Sequence, residues 1–384
     1  MNLLTRVQLD ELINTENQNC ISIYLPMEKA PTEADKTKVL FKNQIKKVES
    51  ELIEHGIAQK NVDSLIAPAV KLLETPKFWT SPDESAAVFV VGSNITTIKL
   101  PFPIEPTTFI GPKFYLVPLF KLFSFDSKFY ILALSQNKVR LLHCDLLDCD
   151  EIDIASLPTS LDEALQYDDI EKKNQYVMRS PGSTGDGSPG VYNRGQNDGK
   201  DEHKTNIWRF MEMLDSGLAS LIKDKDTPVV LAGVEFLTAI FRKVNSNLHL
   251  IDKEVSGNTD ILSEKQLHEK AYPLAQEFFD KFVASDLELY HNLSSSDKTG
   301  DTIEEIASAA AKGKIRILFA TQGMFIPGMY NVELDSAFHK DHNPDSEDLI
   351  NFAAVNTFKT GGKVYVLDRN QMPDTENCAA IFRY

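Results

Sequence analysis

The sequence predicts an α/β protein in three domains: a mixed α/β N-terminal domain over 1–125, a second α/β domain over 126–262 and an α/β/α C-terminal domain over 263–384. Three observations predict it. Apolar runs of strand length alternate along the chain with helical stripes spaced by three and four residues. The style of that alternation changes near residue 125, where a hairpin and meander begin, and again near residue 263, where the chain turns helix-rich. The composition, 42% hydrophobic and 25% charged over 384 residues, suits a folded chain with two or three cores of ordinary make-up.

The elements of the first domain follow in order. MNLLTRVQLDEL has the pattern of a short amphipathic helix, and its acids argue against a signal peptide. CISIYL, from Cys20 to Leu25, is a buried strand. Phe41, Ile45, Val48 and Leu52 form one helical stripe, with Gly56 suited to close it. Val62, Leu65, Ile66, Ala69 and Leu73 form a second. SAAVFVV and ITTIKL flank Gly92, Ser93 and Asn94 and predict a hairpin. FYLVPLF, residues 114–120, reads as another apolar strand.

In the second domain, FYILALS and KVRLLHCD flank Gln136 and Asn137 and should pair antiparallel, with CDEIDI as third strand of a meander. A short helix is predicted around Leu161 to Tyr167. A glycine-rich loop over 180–202 then runs into a helix with Ile207, Phe210, Met211, Leu214, Leu218 and Leu221 on one face. PVVLAGVE follows as a strand apolar enough to be central. In the third domain, a helix-rich segment opens at Ser263. Thr302 to Glu305 has the spacing of a capping box, and Gly313 closes that helix. KIRILFA is a strand. A helix is expected from Ser346, with Glu347 and Asp348 in its first turn, ended by Gly361 and Gly362. KVYVLD and CAAIFRY are the last strands, and residues 321–345 read as a long irregular stretch.

Charge and cysteines narrow the function. There are 40 Lys+Arg against 56 Asp+Glu, a net charge of −16. Generic nucleic-acid binding needs the opposite balance, although a local basic patch is compatible with it. Cys20, Cys144, Cys149 and Cys378 lie scattered in strand-like segments without a CxxC, which predicts buried free thiols in a reducing compartment. No apolar run approaches membrane-spanning length. The expected location is the cytoplasm, with no membrane partner.

The long loop raises the main functional question. It is rich in Gly, Ser, Asn and Asp, offers little apolar surface, and is expected to be flexible. Near its end stand Arg194, Gly195 and Gln196. A Gly-Gln pair there is either a chance event in a low-complexity loop or part of a probe that reaches a partner. Loops of this size between ordered elements are uncommon without a function. Tyr192, Arg194, Lys200 and Lys204 could stack on and neutralise RNA, with Trp208 nearby, while Asp198, Asp201 and Glu202 oppose that charge locally.

With the elements in this order, the chain resembles the bacterial branch of the archaeo-eukaryotic class 1 peptide chain release factor family, relatives of Pelota-type ribosome rescue factors. FYILALSQNKVRLLHCD resembles the family's opening hairpin of the middle domain. HKTNIWRFMEMLDSGLASLI resembles the helix after its functional loop, and PVVLAGVEFLTAIF the strand and turn beyond it. IEEIASAAAKGKIRILFA resembles the start of the third domain, and ISIYLP the N-terminal strand of the bacterial members. The resemblance covers roughly residues 125 to 384 together with the N-terminal domain. It implies a ribonuclease H-like middle domain and a third domain similar to kink-turn-binding ribosomal proteins. It also implies a translation-related role in termination, rescue or a stalling response, with the ribosome or ribosomal RNA as partner and no cofactor or metal.

True release factors carry Gly-Gly-Gln on this loop, where backbone and glutamine help position water against the peptidyl-tRNA ester. The resemblance therefore marks Gly195 and Gln196 as the candidate catalytic residues. Arg194 stands where the first glycine belongs, and arginine is strained in the backbone conformations open to glycine. Peptidyl-tRNA hydrolysis is not expected. The alternative is a non-catalytic protein-interaction scaffold, with a protein as its partner, that kept the architecture; the acidic balance fits it.

Other constellations carry less. Gly182, Gly185, Gly187 and Gly190 do not follow a strand directly, and no Gly-Lys-Ser/Thr accompanies them. His339, Asp341, His342 and Asp345 could ligate a metal but read as polar surface. His143 and Cys144 are strand neighbours facing opposite ways, so with Cys149 they read as structural.

Overall fold

The computed structural model describes residues 4–28, 34–80, 84–123, 128–145, 149–165, 198–340, 346–373 and 377–384. The chain forms two compact units. One comprises Met1–Asp126 with Val283–Tyr384, the other Ser127–Phe282.

The N-terminal part of the first unit contains α1 (Arg6–Ile13), β1 (Glu16–Pro26), α2 (Ala34–Glu54), α3 (Gln59–Leu72), α4 (Pro76–Trp79), β2 (Ser85–Val91), β3 (Asn94–Leu100) and β4 (Thr107–Lys113). Thr5 and Gln8 form the capping box that starts α1. The strands make one antiparallel sheet in the order β3–β2–β1–β4. Its alternation sorts the side chains. Ile21, Ile23, Leu25, Val88 and Val90 meet the predicted stripes Phe41, Ile45, Val48 and Leu52 of α2 and Val62, Ile66 and Ala69 of α3. Tyr24, Ala87 and Phe89 face the opposite core. Gly92, at φ +56°, makes the two-residue hairpin turn, and Gly56, at φ +83°, follows α2 as predicted.

One strand was misplaced by the sequence. The second ladder partner of β1, beside β2, is β4, whose Gly111 and Pro112 break the apolar pattern, while 114–120 leads into a 3₁₀ turn from Val117 to Leu122. Pro118 lacks the N–H that a ladder needs. The run is apolar because the C-terminal part of the unit covers it. Tyr115 packs on Phe325, and Phe120 on Phe358.

The second unit holds β5 (Phe129–Leu134), β6 (Arg140–Cys144), β7 (Cys149–Ile152), α5 (Asp198–Leu221), β8 (Pro228–Gly233), α6 (Glu235–Val244), β9 (His249–Ser256) and the start of α7 (Glu264–Leu293). Residues 161–165 are helical, as predicted. The sheet order is β7–β6–β5–β8–β9. β5 to β7 form the predicted antiparallel meander, and β8 and β9 run parallel to β5. This is the ribonuclease H-like arrangement. β8 is central and buried throughout, which explains its unbroken apolar run. α6 and β9 extend the unit beyond the predicted elements.

The C-terminal part of the first unit carries the end of α7, β10 (Thr299–Gly300), α8 (Ile303–Ala311), β11 (Ile315–Thr321), β12 (Pro327–Asn331), β13 (Ser336–His339), β14 (Glu347–Asp348), α9 (Leu349–Lys359), β15 (Lys363–Leu367) and β16 (Cys378–Phe382). The main sheet runs β10–β16–β11–β15. α8 and α9 pack on one face. Tyr290, Leu287 and Val283 of α7 pack on Ile317, Phe319 and Tyr365 of the other, completing three α/β/α layers. Three local expectations change. Thr302 precedes α8 without a side-chain cap bond, so no capping box forms. α9 begins at Leu349 because Asp348 is its N-cap, accepting from the Ile350 and Asn351 N–H groups. Residues 327–339, read as irregular, form the hairpin of a small sheet ordered β13–β12–β14.

Within the first unit the two chain segments share a continuous core that runs from Leu9 and Phe109 to Leu349 and Ala380. Asn351 is buried at the seam. Its Nδ2 donates to the Phe114 carbonyl (2.9 Å), and its Oδ1 accepts from the Leu116 N–H (2.7 Å).

Candidate functional site

The site is built on α5, the helix that leads out of the Gly-Gln loop. Tyr192, Arg194, Gly195 and Gln196 lie outside the described residues, as does most of the loop. α5 begins at Asp198, so 198–202, read as the end of the loop, are helical. Lys200 therefore stands in the first turn. Lys204 follows one turn later, on the same side of the helix by its four-residue spacing, and is exposed.

What holds α5 in place is an apolar stripe. Ile207, Phe210, Met211, Leu214 and Leu218 are all at most 1% exposed and pack on Leu132, Leu141, Val229 and Leu231 of the sheet. Leu221, the last predicted member, is half-buried. Gly217 lets the helix come close to the segment after β7: a β-carbon there would fall 2.0 Å from Leu157 Cδ2. Trp208 rests part-buried against the same core, and its Nε1 donates to Glu212 Oε1 one turn on (2.9 Å).

A polar anchor fixes the other end of the helix. Asp215 is 3% exposed, and its Oδ2 accepts from the Ser246 N–H (3.3 Å), Ser246 Oγ (3.0 Å) and Asn247 Nδ2 (2.9 Å). These bonds tie α5 to the turn between α6 and β9. The sequence reading passed over Asp215, although an acid flanked by the buried positions 211, 214 and 218 was the available signal. Arg140 was missed too. It is 8% exposed on β6, donates from Nε to Glu151 Oε2 (2.8 Å) and from Nη1 to the Leu262 carbonyl (2.8 Å), and so fastens the entry to α7.

The remaining sequence candidates sort by environment. All four cysteines are buried free thiols. Burial pushes the Cys20 thiol up to about 11 and that of Cys378 up to about 12, away from nucleophilic reactivity. His143 pairs across the ladder with Asp150, and Cys144 with Cys149. His339 Nε2 contacts Glu304 Oε1 at 2.5 Å, while 341–345 lie outside the described residues. Among the described residues no group of three or more His, Cys, Asp or Glu side chains could hold a metal ion, and no helix is long and apolar enough to cross a membrane. The two central strands β5 and β8, FYILAL and PVVLAG, carry no carboxylate at all. What this unit offers is a closely packed seat for α5.

Comparison with known proteins places this unit. Residues 129–277 match the model of bacterial archaeo-eukaryotic release factor family 7. No curated protein matches the chain. Among solved structures it is similar to an archaeal translation termination factor, aRF1, at 13% identity, covering 98% of this chain and 96% of that one with a TM-score of 0.24. It is also similar to archaeal Pelota in a model of ribosome-bound Pelota and ABCE1, at 11% identity, 78% and 77% coverage and a TM-score of 0.36. Dom34 of S. cerevisiae, a translation termination-like factor, is a third, at 13% identity, 78% and 79% coverage and 0.35. Scores this low transfer nothing about function or the placement of parts. The family match, by contrast, spans the five-stranded sheet, α5, α6 and the first part of α7, so the likeness to the bacterial archaeo-eukaryotic release factor family rests on the middle unit of this chain.

Proposed function

We propose that the protein is a cytoplasmic, ribosome-associated factor of release-factor type, acting in termination, rescue or a stalling response, that docks without hydrolysing peptidyl-tRNA. Its segments 1–125, 126–262 and 263–384 serve as the three domains. The observation that carries this reading is the family match over residues 129–277, on a ribonuclease H-like sheet whose helix α5 follows directly on Gly195 and Gln196. Arg194, Lys200 and Lys204 meet RNA phosphate, and Tyr192 stacks on a base. Gly195 and Gln196 retain two-thirds of the hydrolytic motif, and Arg194 replaces the glycine that a close approach to the ester requires.

Two measurements test it. In sucrose gradients the protein should co-migrate with ribosomal particles. Binding should weaken steeply with added salt, and reversing the charge of Arg194, Lys200 and Lys204 together should abolish it. On programmed ribosomes, wild type and Gln196→Ala should both leave peptidyl-tRNA intact. Arg194→Gly alone should not create activity, because the rest of the loop is unmatched. Robust hydrolysis lost in Gln196→Ala would make the protein a true release enzyme. Sedimentation free of ribosomes would favour the scaffold reading, to which the net charge of −16 lends weight.

A further inference from the structure

β3 is the outer edge of the first sheet, and among the described residues no strand pairs with its outer side. The order β3–β2–β1–β4 leaves one side of β3 without a neighbour, and Asn94, Ile95, Thr96 and Thr97 are exposed. The two-residue turn makes Val91 and Asn94 the closing hydrogen-bonded pair of the hairpin. By alternation, residues 94, 96, 98 and 100 direct their backbone groups to β2, and Ile95, Thr97 and Lys99 direct theirs outward. Among the described residues, no backbone bond outside the β2 ladder involves Ile95 or Thr97. Natural edges are usually guarded by charge, proline or a bulge. Here 94–98 is uncharged, free of proline, and paired to β2 in unbroken register. The nearest cation is turned away: Lys99 Nζ donates to the Phe78 carbonyl (2.6 Å) and lies 3.8 Å from the centroid of the Phe78 ring.

We propose that β3 pairs antiparallel with β3 of a second copy of this chain. An open row of N–H and C=O groups takes an extended strand. Charge selects the same strand as the occupant. Two copies at net charge −16 repel across most approaches, whereas 92–100, GSNITTIKL, contains no acid, so here two copies meet without carboxylate facing carboxylate. The register also closes on itself. With Thr96 on the two-fold axis, Ile95 of each copy lies opposite Thr97 of the other. The outward backbone groups then meet as hydrogen-bonded pairs, and the cross-strand neighbours are β-branched. So short a pairing buries little beside the roughly 1,200–2,000 Å² of a stable interface, which makes the dimer weak and concentration-dependent.

Sedimentation equilibrium of the full chain over a concentration series tests this, independently of any ribosome binding. Wild type should rise from the mass of one protomer towards two. Thr97→Pro removes an outward N–H that the β2 ladder does not use, a position where an edge tolerates proline. It should keep the wild-type thermal midpoint and remain monomeric, and Ile95→Lys should do the same. A wild type that stays monomeric at the highest soluble concentration overturns the proposal. So does a folded Thr97→Pro or Ile95→Lys that dimerises as well as wild type. Loss of the dimer in Phe338→Asp, on the separate exposed hairpin, with Thr97→Pro unaffected, would overturn it as well.

Discussion

Asp348 shows how one side chain can join several pieces of backbone. It is fully buried, caps α9 and also accepts from the Ile326 N–H (2.8 Å), so a single carboxylate holds the helix start and the entry to β12. Desolvation raises it to about 7, against the lowering pull of its three backbone donors. The sign follows from linkage. The group keeps its proton in the fold at pH values where the unfolded chain has released it. Its contribution is therefore complete below about pH 4 and is lost as pH rises through 7. Asp348→Asn keeps an acceptor at the cap and removes the titration. Its thermal midpoint should vary less between pH 4 and 7 than that of wild type, measured by circular dichroism in matched buffers. Asp335 behaves in the opposite way. At the turn of the β12–β13 hairpin, with φ +49°, it is lowered to about 2 by Lys312 first and then by the Tyr330 hydroxyl, so its contribution fades only in strong acid.

At the scale of the element, α5 decides whether the loop has a fixed base. Its stripe is legible from spacing alone, since residues at 207, 210, 211, 214 and 218 fall on one face of a 3.6-residue helix. Leu214 is fully buried against the sheet. Leu214→Ala should cost roughly 2–5 kcal/mol, the range for a buried large-to-small change, seen as a lower denaturation midpoint of the full chain. A midpoint unchanged from wild type would mean that α5 is not seated as described. The β12–β13 hairpin contrasts with it. Tyr330 stacks on Phe352 of α9, while Asp335 bonds Lys312 and Ser308 at the end of α8. Pro327, Gly328 and the left-handed Asp335 interrupt the alternation that would have announced these strands.

For the molecule as a whole, the chain returns on itself. Residues 1–126 and 283–384 build one unit although 156 positions of the other unit, Ser127–Phe282, separate them in sequence. Asn351 is the clearest probe of that union. Asn351→Leu keeps the volume but leaves the Leu116 N–H and the Phe114 carbonyl without their partner, at about 1–3 kcal/mol for each buried group. Hydrogen exchange should show β1 and β11 losing protection together in this variant. Loss confined to the C-terminal segment would mean that the two segments are stabilised separately.

The sequence by itself determined the local elements and the kinship. Apolar runs of strand length gave β1, β2, β5, β6, β8, β11, β15 and β16, and period-3.6 stripes gave α2, α3 and α5, because burial leaves its mark on the local sequence. The ordered set of quoted stretches was enough to resemble the release factors. Of the candidate site, the seat of α5 was legible, whereas Asp215 and Arg140 were not, since their partners Ser246, Asn247 and Leu262 come from distant turns. Only the tertiary structure decided that 114–120 is a covered 3₁₀ segment and not a strand, that 327–339 is a hairpin, and that the two ends of the chain share one core. Periodicity records that a residue is buried, but the group that buries it lies far along the chain and leaves no local mark.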